Sequence, residues 1–364
     1  MKRLTVMIKP ASSLCDMRCK YCFYCDVAAA RQVASMGVMR CETAAALIAN
    51  VFSVLCAGDH ITFAFQGGEP TLAGLDFFTF FVEKVKQAAP PKVRVYYALQ
   101  TNGLALADAK TGGAWAHFFK ENDFLIGLSL DGDSALHNEH RVDAMGKGTF
   151  SRVMAAKNIL DRQGISYNVL CVLTAETARR AKRLWEFILR KGIRHIQFIP
   201  CLAPLDGTPS GAALTSQKFY QFYAAFFPLW KKEAAWGNMV HVRLFEDLMG
   251  LFAAGQAVTC GIGGGCTPQI IVEADGSVYP CDFYVLDNYK TGNLATENLR
   301  EVFEATAGGA FLQEKRPLPA ACAGCPYSPW CAGGCKRMAG AVYGENCGMK
   351  LFLDECLQDL LQVT

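Results

Sequence analysis

Charge of one sign is scarce in this chain. The 36 basic residues stand against 33 acidic ones, a formal net charge of +3, which is not the footprint of a nucleic-acid binder. Long apolar runs are missing as well: no stretch reaches the roughly 18 residues that a membrane span needs. The run behind Lys2 and Arg3 extends from Leu4 to Ile8 and is stopped by Lys9 and Pro10, too short for a secretory core. No export signal is read, so a reducing, cytoplasmic setting is expected. Neither fixed-period repeats nor low-complexity stretches are evident, and with 52% apolar against 19% charged residues the chain can bury a large core rather than stay disordered.

Cysteine, by contrast, is abundant, at 17 of 364 residues. The length excludes a small disulfide scaffold, and in a reducing compartment such thiols read as metal ligands or catalytic groups. Four lie within the first 25 residues and nine at or beyond residue 260. The distribution predicts a cluster-bearing N-terminal loop, a scaffold, and a cysteine-rich C-terminal module.

The scaffold shows a strand–helix rhythm. Strand-like runs at Leu4–Lys9, His60–Phe65, Val93–Leu99, Phe124–Leu130, Tyr167–Leu173 and His195–Ile199 alternate with helical spacing at Thr43–Val54, Phe77–Gln87, Phe150–Asp161, Ala178–Leu189 and Gln217–Trp230. Six such repeats imply an α/β fold with a parallel sheet, either doubly wound or an incomplete barrel. The rhythm stops after about Phe245–Ala253, and a hairpin is expected at Ile270–Val272 and Ser277–Tyr279 around Asp275-Gly276. The boundary is placed near 240, giving domains 1–240 and 241–364.

Cys15, Cys19 and Cys22 directly follow the first strand. Thiolates suit iron–sulfur clusters or zinc. Three of them can hold three irons of a 4Fe–4S cube and leave the fourth iron open. At this cysteine content one three-cysteine spacing arises by chance roughly 0.04 times per chain. Cys25 continues the series, so a closed cluster or a zinc site also fits the spacing. A second string, Cys322, Cys325, Cys331, Cys335 and Cys347, follows Cys260, Cys266 and Cys281. Zinc ribbons are its alternative reading. Gly261 to Gly265 invites a phosphate-loop reading but lacks the strand-then-helix context, and reads as a cluster turn.

The residues around the first three thiols, Cys15-Asp-Met-Arg-Cys19-Lys-Tyr21-Cys22, resemble the radical S-adenosylmethionine (SAM) superfamily. Gln66-Gly67-Gly68-Glu69-Pro70 looks like that family's Gly-Gly-Glu-Pro motif. The resemblance implies a partial (β/α)6 TIM-like barrel and SAM chelated by the open iron. It implies cofactor contacts from Tyr21, Gly68, Ser129, Arg141 and Leu202, most of them near strand ends. The later cysteines resemble a SPASM domain, which implies two auxiliary clusters. Cys260, Cys266, Cys281 and Cys335 would hold one, and Cys322, Cys325, Cys331 and Cys347 the other, with Cys356 a rival for the last place. Three 4Fe–4S clusters are implied in all.

Two further segments, Ile8-Lys9-Pro10-Ala11-Ser12 and Tyr279-Pro-Cys281-Asp282-Phe-Tyr-Val-Leu, are similar to those of anaerobic sulfatase-maturating enzymes over nearly the whole length. That resemblance implies oxidation of a Cys or Ser side chain in a sulfatase to Cα-formylglycine, with Asp282 as general base and a flavodoxin or ferredoxin as electron donor. A thioether-forming or other peptide maturase, and a multi-cluster electron carrier, are the alternative functions. No nucleic acid or membrane partner is expected.

Overall fold

The computed structural model describes residues 1–314 and 317–363, which form two compact units. The first comprises residues 1–129, 141–167 and 268–314. The second comprises 130–140, 168–267 and the described part of the C-terminal stretch.

In the first unit β1 (Arg3–Ile8), β2 (His60–Phe65), β3 (Arg94–Thr101) and β4 (Phe124–Ser129) lie side by side in that order, all parallel. In the second, β5 (Tyr167–Leu173), β6 (His195–Pro200) and β7 (His241–Val242) do the same. Neither series reverses its direction of winding. A doubly wound sheet must reverse at its switch point, so the consecutive order resolves the choice left open by periodicity in favour of the singly wound, barrel-type arrangement. On the other edge of β1 lies β8 (Ile270–Val272), parallel to it, followed by the antiparallel β9 (Ser277–Tyr279) and β10 (Gly292–Asn293). The hairpin falls where Asp275-Gly276 placed it. Its attachment to β1 could not be read from the sequence, because a three-residue strand carries too little pattern to name its neighbour.

The strands form where β-branched and aromatic residues alternate. Val6 and Ile8 on β1, and Ile61, Phe63 and Phe65 on β2, are buried every second residue, the period of a pleated strand. The helix Leu75–Ala88 covers that face with Phe77, Phe78, Phe81, Val82 and Val85 at helical spacing. The rings of Phe78 and Phe81 each meet Phe65 at 5.0 Å between centroids.

The second unit has its own aromatic core. The helix Ser216–Ala235 begins at Thr215, whose side chain accepts the Lys218 N–H. It packs with Arg243–Ala254 and Gly348–Leu361, the last of which was not foreseen. Phe245 lies 4.8 Å from the Trp230 ring and stacks on Phe352 at 11°. One expected helix, Ala178–Leu189, is divided into a 3-10 turn, Thr177–Arg180, and a helix, Ala181–Arg190. Among the described residues no helix is long and apolar enough to cross a membrane.

Phe245 is fully buried among these rings. Phe245→Ala should therefore cost about 3–5 kcal/mol of the second unit's stability, to be read as a lower midpoint of thermal unfolding by circular dichroism.

Candidate active site and cysteine clusters

The loop after β1 and the loop after β2 touch through their backbones. Gly68 has φ +49°, and a Cβ there would lie 2.2 Å from the Leu14 carbonyl oxygen, so no other residue fits. Glu69 N–H donates to that same carbonyl at 2.7 Å. The Glu69 side chain is buried and accepts from Thr71 N–H and Oγ1 at 3.1 and 2.7 Å, from Thr101 Oγ1 at 2.8 Å and from Asn102 N–H at 2.8 Å. Burial pushes its pKa up, and these donors oppose the rise. Asn102 Nδ2 in turn donates to Asp16 Oδ1 at 2.7 Å and lies 4.0 Å from Cys15 Sγ. The Gly-Gly-Glu-Pro segment and the end of β3 thus form one frame around the first cysteine loop.

Within that frame the thiols sit in unlike surroundings. Burial pushes Cys15 up to about 12, and the charges of Glu69, Asp16 and Cys19 add to the rise. A hydrogen bond with the Cys25 thiol brings Cys22 down to about 6, helped by the charge of Arg141. The same bond pushes Cys25 up. Arg141 lies 5.5 Å from the centre of the Tyr21 ring, a cation–π distance. Tyr21, Cys22 and Arg141, three of the residues singled out from sequence, therefore come together. Ser129 is buried at the end of β4, and Leu202 is half-buried just beyond β6.

Asp282 starts the 3-10 turn Asp282–Tyr284, immediately after Cys281. Its Oδ1 pairs with Lys9 Nζ and its Oδ2 accepts from Gln66 Nε2. Lys9 is fully buried, runs so close to Gly67 that a Cβ there would lie 2.8 Å from its Cγ, and stands 4.3 Å from the Tyr24 ring centre. The Tyr24 hydroxyl donates to Glu273, which also pairs with Arg31 at 2.6 Å. No sequence pattern announced Lys9, Tyr24, Arg31 or Glu273 as a group. Lys9 had read as the residue that ends an apolar run.

In the second unit, Cys322, Cys325, Cys331 and Cys347 line one pocket, with Gly333 and Tyr343 in its wall. Cys356 is buried elsewhere on the last helix and does not line it. Burial raises the Cys331 and Cys347 thiols, and neighbouring thiols raise them further: Cys325 and Cys322 act on Cys331, and Cys331 and Cys322 act on Cys347. Four thiols in one recess are a donor set that suits an iron–sulfur core. Gly261 and Gly264 lie against this segment. A Cβ on Gly261 would be 2.6 Å from Cys335 Cβ, and one on Gly264 would be 2.6 Å from the Cys331 carbonyl oxygen. At these two positions the absence of a side chain allows close approach to cysteine-bearing backbone. Among the described residues no three His, Cys, Asp or Glu side chains converge on a single-ion site.

Residues 265–326 match the SPASM family, an iron-sulfur cluster-binding domain. A cysteine-type anaerobic sulfatase-maturating enzyme of Clostridium novyi is 38% identical over 339 residues, covering 93% of this chain and 89% of that protein. The chain belongs to the anaerobic sulfatase-maturating enzymes. A serine-type anaerobic sulfatase-maturating enzyme of Klebsiella aerogenes is 29% identical over 346 residues, covering 94% and 82% of the two proteins. The solved structure of native anSMEcpe with bound AdoMet and Cp18Cys peptide superposes with a TM-score of 0.90 at 35% identity, over 99% of this chain and 98% of that one. As an anaerobic sulfatase-maturating enzyme the protein is a radical SAM enzyme, and its SPASM match falls where the later cysteines had been read as a cluster module.

The pocket geometry distinguishes the rival thiols. After anaerobic reconstitution, Cys347→Ala should lose about four irons per chain, one cubane cluster, whereas Cys356→Ala should keep its full iron. Iron and sulfide analysis of the two variants beside the parent protein checks this.

Proposed function

We propose that this sulfatase-maturating enzyme oxidises a cysteine side chain of a sulfatase to Cα-formylglycine, with Asp282 as the general base. Cysteine is preferred over serine as the target because the cysteine-type relative is 38% identical and the serine-type one 29%. The observation that carries the assignment of the base is the double hold on the Asp282 carboxylate by Lys9 and Gln66.

Three 4Fe–4S clusters and SAM are the proposed cofactors. Cys15, Cys19 and Cys22 would hold the cluster that binds SAM. Cys260, Cys266, Cys281 and Cys335 would hold one auxiliary cluster, and Cys322, Cys325, Cys331 and Cys347 the second. Tyr21, Gly68, Ser129, Arg141 and Leu202 would line the SAM site. When bound, these groups supply a 5′-deoxyadenosyl radical that takes a hydrogen atom from Cβ, and an acceptor for one electron.

The chain's own task is the proton. Conversion of –CH2SH to the thioaldehyde removes a hydrogen atom, a proton and an electron, and water then replaces sulfur as hydrogen sulfide leaves. Asp282 is a side chain suited to take the proton from sulfur: its side chain is 12% exposed, so one edge stays open, while Lys9 and Gln66 fix the plane of the carboxylate. Gly67 lets Lys9 through, so the same turn that frames the cysteine loop also admits the partner of the base. Electrons are proposed to come from a flavodoxin or ferredoxin in the cytoplasm, and the sulfatase polypeptide is the macromolecular substrate. The cluster module is proposed to begin near residue 241, after a barrel domain of residues 1–240.

Asp282→Asn keeps the shape of the side chain and the acceptor for Lys9 but is a far weaker base. With reductant, SAM and a sulfatase-motif cysteine peptide under anaerobic conditions, the variant should still form 5′-deoxyadenosine. Formylglycine, followed by peptide mass, should fall by about 10²-fold or more. Undiminished aldehyde would remove Asp282 from the role. A peptide that loses two hydrogens without gaining an aldehyde would instead identify a crosslinking maturase.

A further inference from the structure

Asp247 belongs to none of the groups above, yet it is 98% buried with one carboxylate oxygen committed and the other without a partner. It lies on the helix Arg243–Ala254. Its Oδ1 accepts the N–H groups of Val258 at 2.7 Å and Thr259 at 3.1 Å. Those are the two residues ahead of Cys260. Among the described residues its Oδ2 has no partner, and Asp247 lines a cavity of about 60 Å³ together with Gln197, Arg243 and Thr259.

The chain between the helix and Cys260 is held at Gly255, Gln256, Val258 and Thr259. Gly255 ends the helix at φ +66°, and the Gln256 N–H donates back to the Gly250 carbonyl at 3.1 Å, the return bond of a helix C-cap. The turn is so close that a Cβ on Gly250 would lie 2.6 Å from the Gln256 carbonyl oxygen. Asp247 then captures the N–H groups of Val258 and Thr259, and beyond Cys260 Gly261 and Gly264 settle against Cys335 and Cys331. Val258 itself is 82% exposed, so its side chain provides no anchorage. The loop's side-chain hold on the helix passes through the two bonds to Asp247 Oδ1, and a buried N–H left without its acceptor is costly.

We propose that Asp247 is a positioning residue for an auxiliary iron–sulfur cluster: it fixes the backbone entering Cys260, and its Oδ1 alone does this. The inference rests on the reading of Cys260 as a ligand. An asparagine would keep the acceptor and place its amide NH2 where Oδ2 has no bond to lose. An alanine would free both N–H groups of the loop.

The test is iron stoichiometry and the rate of iron release to a ferrous chelator, both measured anaerobically on reconstituted full-length protein. Asp247→Ala should fall from about twelve irons per chain toward about eight, or release four of them at least ten times faster. Asp247→Asn should match the parent. Val258→Pro attacks the stronger bond from the exposed loop and leaves the core intact, so it should speed release even if Asp247→Ala fails to fold. Cys260→Ala separates the two levels. Twelve irons in that variant would overturn the ligand reading. Eight irons there, with parental iron and release in both Asp247→Ala and Val258→Pro, would overturn the role of Asp247 alone. An Asp247→Asn variant as defective as Asp247→Ala would also overturn it, because the unpartnered oxygen would then be the one that matters.

Discussion

A carboxylate withdrawn from water must find its donors in the chain, and Glu69 finds them in two loops at once. Its four hydrogen bonds come from Thr71 after β2 and from Thr101 and Asn102 at the end of β3. The bond from its own N–H reaches Leu14 after β1. Removing a buried group of this kind leaves several donors unsatisfied, and each costs about 1–3 kcal/mol. The three loops are therefore locked together before any cofactor arrives. Gly68 makes the lock sterically possible, and Asn102 extends it to Asp16 beside the first cysteine. The ends of these strands are cross-linked because a carboxyl group is buried there, and the first cysteine loop can pack against them because Gly68 has no side chain.

The same logic governs the thiols. A buried thiol resists ionisation, as Cys15 shows at about 12, and neighbouring thiols deepen the resistance, as at Cys331 and Cys347. Such groups become thiolates when a multiply charged metal core compensates them. Cluster assembly and local order are thus coupled. The glycines at 261 and 264 let backbone segments approach, but they add no attraction, so the N–H groups near Cys260 need an anchor on a helix.

Much of this was legible in the sequence, and what was not has a common cause. The strands β2 and β5 fall on the predicted residues and β1, β3, β4 and β6 differ by one or two at their ends, because alternation of side chains such as Ile61, Phe63 and Phe65 is a local signal, whereas the two-residue strands β7 and β10 carry no such signal and were not predicted. The hairpin was legible through Asp275-Gly276. The cysteine strings were legible through spacing, and the pocket joins Cys322, Cys325 and Cys331 to Cys347 although the eleven-residue gap before Cys347 had left Cys356 in contention. Illegible were the pairs whose partners lie far apart: Lys9 with Asp282, 273 residues on, and Tyr24 with Glu273, 249 residues on. A lone lysine or glutamate carries no period and no spacing. Its meaning exists once the fold has brought its partner to it.

Those long-range pairs explain how so short a hairpin can hold Cys281 and Asp282 in place. Strands of three residues, β8 and β9 alone, make a marginal ribbon. Parallel pairing of β8 with β1 supplies the missing sheet, and the buried pair of Arg31 with Glu273 fixes the hairpin against the chain just beyond the cysteine loop. A buried ion pair gains little net stability against apolar packing, but a glutamate placed one residue out of register would be buried with no cation to meet. Register is therefore strongly specified at Glu273. Because Cys281 and Asp282 follow the second strand directly, fixing that register also fixes which of their neighbours meets Lys9 and Gln66. The position of Asp282 between Lys9 and Gln66 is thus tied to an ion pair at the other end of the same hairpin.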